Sequence, residues 1–181
     1  MRPSAKQPVF LSHLDKSRIL ILHGPIESKL AYHTNIKLNE LSIIAPTKPI
    51  HMHISSEGGD FWDMLSILET MEAIKAPVYT TVVGYCFSGA ALLVAAGKRK
   101  HRFIRKNSWV MVHELSAEFT QQKMSDLEIE YEWTRSCNEQ LLELLSYYTK
   151  RTLAALKKDL IKDHPLNAEE ALEFGIVDRI V

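Results

Sequence analysis

The chain has 181 residues, 46% hydrophobic and 24% charged, which suits one globular domain with a sizeable core. Lys+Arg and Asp+Glu both number 22, so the net charge is zero and no nucleic-acid or polyanion partner is expected. No apolar run reaches the roughly 18 residues of a membrane helix, and the N-terminal stretch lacks the apolar core of a secretory signal.

Residues 1–17 carry Pro3 and Pro8 with little periodicity and read as an N-terminal arm. Residues 18–181 read as one domain. Arg18–Leu22 is a short apolar strand stopped by Gly24-Pro25, and Glu27–Ile43 has helical spacing. Ile50–Ser55 alternates, with Ile50, Met52 and Ile54 on one face and His51 and His53 on the other. Gly58-Gly59 then turns the chain into a helix, Asp60–Ile74, with Asp60 as its cap. Val78–Val83 is the next strand, and Gly89–Ala96 a short helix of small residues. Strands follow at His101–Ile104 and Trp109–His113, then a long helix at Ser125–Thr149 and a shorter one at Thr152–Leu160. Asn167-x-x-Glu170 has the form of a capping box before Ala171–Phe174, with Gly175 as the stop. This alternation predicts an α/β protein with parallel strands joined by right-handed crossovers. Cys86 and Cys137 show no CxxC or metal spacing and read as reduced thiols of a cytoplasmic protein, with Cys86 buried.

Ser88 lies where the β-branched run gives way to the small-residue helix. Taken alone it reads as a helix N-cap. The same place also suits a nucleophile, because unpaired N–H groups at a helix start favour developing negative charge. A serine hydroxyl needs a base, and the base needs an acceptor that fixes its tautomer. His113 ends the strand Trp109–His113, on the face of Trp109 and Met111. Asp163 stands with His164 in a loop before Pro165 and is the candidate third member. Asp159 is a rival that reads as a surface charge at a helix end. Gly89, after the serine, and Gly59, at a tight strand-to-helix turn, are the candidate oxyanion donors. For His113, Asp163 and the glycine pair, the plain alternatives are a structural histidine, a solvated acid and a tight turn.

Together, RILILHGPIES, HISSEGGDFWDMLSILETMEAIKAPVYTTVVG, GYCFSGAALLVAAGKRKHRF, NSWVMVHE and LNAEEALEFGIVDRIV resemble the Clp protease proteolytic subunit (ClpP) family from about Arg18 to Val181. The resemblance sets Ser88, His113 and Asp163 on the family's catalytic positions. It implies a crotonase-like ββα superhelix with a long handle helix and seven-membered rings stacked in pairs. It also implies polypeptide substrates and an AAA+ unfoldase partner that uses the ATP, this chain itself needing no cofactor.

The sequence departs from the family at several places. Glu57 replaces the usual Pro before Gly-Gly, and Gly89 the usual Met after the serine. Tyr85-Cys86-Phe87 replaces smaller or amide residues, which alters the substrate pocket. ELSAEFTQQ lacks the Gly and Pro of the ring-locking strand, and Ile161-Lys162 stands where many relatives pair rings through Asp-Arg. His51 and His53 replace two aromatics of the unfoldase-docking patch. Their spacing would also suit a metal, but no third ligand is evident.

The leading expectation is therefore an ATP-dependent Clp-type serine endopeptidase subunit. The alternatives are a catalytically weak structural subunit of a mixed ring, a phage-type maturation peptidase working without an unfoldase, and a crotonase-fold acyl-CoA enzyme.

Overall fold

In the computed structural model of the chain, residues 16–116, 123–161 and 163–181 are described. Most of the predicted arm, the ELSAEFTQQ segment beyond Ser116 and Lys162 fall outside these residues. The strands are β1 (Ile19–His23), β2 (Ile50–Ser56), β3 (Val78–Phe87), β4 (Arg102–Ile104), β5 (Trp109–Val112), β6 (His164–Leu166) and β7 (Arg179–Ile180). The helices are α1 (Ser28–Ile44), α2 (Phe61–Ala73), α3 (Gly89–Ala95), α4 (Met124–Thr149), α5 (Leu153–Asp159) and α6 (Ala168–Phe174). The sheet runs β1-β2-β3-β4-β7 in parallel, with β5 on the far half of β3 and β6 antiparallel to β5.

The expected mostly parallel α/β fold is present, and its local causes are visible. β2 alternates as its sequence does, burying Ile50, Met52, Ile54 and Ser56. Asp60 caps α2 by accepting from the N–H groups of Trp62 (2.8 Å) and Asp63 (3.0 Å). Asn167 and Glu170 form the reciprocal capping box of α6, and Gly175 (φ 89°) ends that helix. α3 is buried from Ala90 to Ala95. It packs among α2, α4 and the sheet in a hydrophobic core that runs from Leu22 to Val177.

At the C-terminal end of α3 the Arg102 guanidinium, almost fully buried, donates to the Ala95 and Tyr148 carbonyls and to both oxygens of Asp178. This ion pair joins α3, α4, β4 and the chain end. A buried charge of this kind is tolerable only because its donors are paired.

Two expectations need correction. β3 does not stop at Val83 but continues to Phe87. Gly84 (φ 83°) and a register shift against β2 between Ile54 and Ser56 turn the strand, and its second half pairs with β5. His164 is not loop but opens β6, a three-residue strand that exists because β5 offers it a partner. Asp159 ends α5 as expected, and its partly exposed carboxylate accepts from the Arg151 guanidinium.

Candidate active site

The second half of β3 delivers the chain to Ser88. There the backbone takes φ 54° and ψ −128°, a conformation that L-residues adopt at a cost of about 1–3 kcal/mol. The surroundings impose it: the Ser88 N–H donates to the Met111 carbonyl of β5 at 2.8 Å, while Gly89 opens α3. A serine on such a strained strand-to-helix turn holds its hydroxyl away from both elements. Among the described residues Ser88 Oγ makes no capping bond, so Ser88 occupies the N-cap position without doing an N-cap's work.

Two amides lie beside it. Gly58 (φ 93°) packs so closely that an added Cβ would meet the Ser88 Cβ at 2.7 Å. Gly59 (φ 156°) is held against the segment after β1: Ile26 N–H donates to the Gly58 carbonyl at 2.7 Å, and Asp60 N–H to the Ile26 carbonyl at 2.9 Å. A Cβ on Gly59 would stand 2.2 Å from the Ile26 oxygen, so only glycine fits. The Gly59 and Gly89 N–H groups have no acceptor among the described residues. Donors left unpaired beside a nucleophile are the feature an oxyanion site requires.

Gly89, where a methionine was expected by resemblance, has a local reason. A Cβ there would lie 3.0 Å from Cγ of Met64, whose side chain comes across from α2. Met64 thus occupies the space that a side chain at Gly89 would need.

His113 follows β5, half-buried, and lines the same pocket of about 60 Å³ as Gly59, Ser88 and Gly89. Its Nδ1 lies 2.6 Å from the Glu114 carbonyl oxygen. A carbonyl only accepts, so Nδ1 carries the proton. The lone pair of the neutral ring is then on Nε2, the nitrogen a general base uses.

Asp163 is not brought to His113 by any contact: it is exposed and makes no hydrogen bond or ion pair among the described residues. β5 and β6 pair Val110 with Leu166, Met111 with Pro165 and Val112 with His164. That register ends at the Val112–His164 pair, one residue short of both His113 and Asp163.

The remaining sequence candidates divide clearly. Cys86 is fully buried, its thiol donates to the Ile54 carbonyl at 3.3 Å, and burial pushes its pKa far above the ordinary thiol range. His53 is shifted down by burial, then by Arg105 and His51. No group of three His, Cys, Asp or Glu side chains among the described residues could hold a metal ion, and no helix among them is long and apolar enough to cross a membrane. Sequence reasoning did not single out Met64, Leu115 or Ser116, which close the pocket, or the Trp62–Trp133 pair beside it. Exposed tryptophans in otherwise amphipathic helices were the available signal.

A mostly parallel α/β chain with a strained serine beside backbone amides unbonded among the described residues has the arrangement that acyl-transfer chemistry at a strand-to-helix turn requires. The family model for Clp protease matches residues 4–181. The chain belongs to the Clp protease family, a family of serine peptidases.

Proposed function

We propose that this chain is the peptidase subunit of a Clp-type assembly that hydrolyses peptide bonds of unfolded polypeptides. Ser88 Oγ attacks the scissile carbonyl carbon while His113 Nε2 takes its proton. The Gly59 and Gly89 N–H groups hold the tetrahedral oxyanion. His113 then gives the proton to the leaving amine as the C–N bond breaks. Water repeats the sequence on the acyl-enzyme and restores Ser88. Asp163, just before β6, reaches His113 and steadies the imidazolium. Subunits assemble into stacked seven-membered rings in the cytoplasm, and an AAA+ unfoldase spends the ATP.

The observation that carries this reading is the convergence of Ser88, His113 and two unbonded glycine amides on one pocket. The test is turnover of fluorogenic peptides by the purified chain. Ser88→Ala should abolish it, and wild-type rates in that variant would end the assignment.

One observation favours a second reading, a catalytically weak subunit of a mixed ring: the Asp163 carboxylate makes no contact with His113. Full activity of the wild-type chain without any second subunit would exclude it.

A further inference from the structure

We propose that Arg151 is a positioning residue for Asp163: one side chain fixes both ends of the short span that carries the carboxylate to His113. The inference rests on the peptidase reading. Asp163 lies four residues after Asp159 and directly before His164. Arg151 acts on both of these neighbours.

Arg151 is itself well rooted. It sits in the link between α4 and α5, where Lys150 (φ 67°) ends the long helix and the Thr152 side chain caps the next one. Ser146 Oγ donates to the Arg151 carbonyl at 2.7 Å, and the Arg151 N–H donates to Thr149 Oγ1 at 3.3 Å. From this base the guanidinium makes two contacts. Its Nη2 donates to the Asp159 carboxylate, and its carbon lies 4.3 Å from the centroid of the Phe174 ring.

The first contact holds the entry to the span. Asp159 is the last residue of α5, where the helix dipole disfavours a negative charge. The Arg151 cation offsets that cost, and both partners are partly buried, so the pair is screened less than an open surface bridge. Leu160, the next residue, is buried in the core. The second contact holds the exit. The Phe174 ring, buried at the end of α6, lies 5.9 Å from the His164 ring. Arg151, Phe174 and His164 thus form one stack, and His164 pairs with Val112, the residue before His113. Arg151 Nε is buried with no hydrogen-bond partner among the described residues. The guanidinium therefore stands where the acid and the ring place it, not where all its donors are satisfied. Pinning both ends of so short a span limits where its carboxylate can stand. An acid that must meet one imidazole nitrogen needs that restriction.

The experiment uses the full chain. Arg151→Ala should lower kcat on a fluorogenic peptide about 10- to 100-fold with KM within about twofold, because misplacing the acid slows chemistry and leaves binding alone. Asp159→Asn, which breaks the same pair from its other end, should lower kcat in the same way. Arg151→Lys keeps a cation for Asp159 and Phe174 and should restore most of the loss. The decisive reading is a cycle with Asp163→Asn, followed as the rate at which a fluorophosphonate labels Ser88, which stays measurable when turnover is slow. In the Asp163→Asn background, Arg151→Ala should cost less than about twofold, since the group it positions is gone.

Unchanged kcat in both Arg151→Ala and Asp159→Asn overturns the proposal. So does a loss confined to KM, or an equal loss with and without the Asp163 carboxylate, which would make the pair a plain brace of the fold. If Arg151→Ala does not fold, Asp159→Asn takes its place in the cycle. If the folded wild-type chain neither cleaves peptides nor labels at Ser88, the peptidase reading fails instead. Hydrogen exchange then decides the clamp: faster exchange of a peptide covering β6 in Asp159→Asn supports it, and unchanged exchange refutes it.

Discussion

Gly59→Ala isolates the proposed oxyanion donors from the proposed nucleophile. The added methyl would stand 2.2 Å from the Ile26 oxygen and 2.7 Å from the Ile26 nitrogen, and both are backbone atoms that cannot turn aside. The turn must move, and it takes the Gly59 N–H with it. Loss of one oxyanion donor costs about 2.7–4 kcal/mol in the barrier, or roughly 10²- to 10³-fold in kcat. Gly24→Ala is the control. Gly24 also has a positive φ, +87°, but nothing lies within 4 Å of an added Cβ, so its cost is conformational strain alone. Both variants should melt lower than wild type, and only Gly59→Ala should lose kcat on a fluorogenic peptide. A folded Gly59→Ala protein with kcat within twofold of wild type would refute the assignment of that amide.

Other consequences can be measured on the same protein. Asp163→Asn should lower kcat by up to about 10⁴-fold if the carboxylate steadies His113; an unchanged kcat would leave the Glu114 carbonyl as the sole partner of Nδ1. Burial alone would raise the Asp178 pKa, but its hydrogen bonds and ion pair with Arg102 outweigh that and hold it below the ordinary carboxylate value. The unfolded chain therefore takes up this proton first as pH falls. The pair's stabilisation is complete above the ordinary carboxylate pKa and is lost as pH drops through the lowered folded value. Asp178→Asn should remove that acid-side slope from urea titrations and lower stability at neutral pH by about 3 kcal/mol, because Arg102 stays buried without its counter-charge. Cys86 and Cys137 are both buried, so thiol reagents should label neither in the native protein and should leave peptidase activity intact. Loss of activity on thiol modification would point to a nucleophile other than Ser88.

Much of this could be read along the chain because its causes are local. The alternation of Ile50, Met52 and Ile54 fixes the inner face of β2, and Asp60, Asn167, Glu170 and Gly175 mark helix ends by hydrogen bonds to near neighbours. Ser88 was legible because a strand, a glycine and a small-residue helix meet there. Features set by partners distant in sequence were not. β3 outruns Gly84 because β5 receives its second half, and β6 forms around Pro165 only because Val110–Val112 lie beside it. Arg151 claims Asp159, and Met64 explains the glycine after the serine. The hydrogen bond from His113 to Glu114 spans adjacent residues, yet it depends on how the chain leaves β5.

The account stands or falls on the reactivity of one hydroxyl. Native protein treated with a fluorophosphonate and then digested should carry the adduct on Ser88 alone, and His113→Ala should suppress the labelling. Labelling of another residue, or none on Ser88 in the assembled, folded protein, would contradict it.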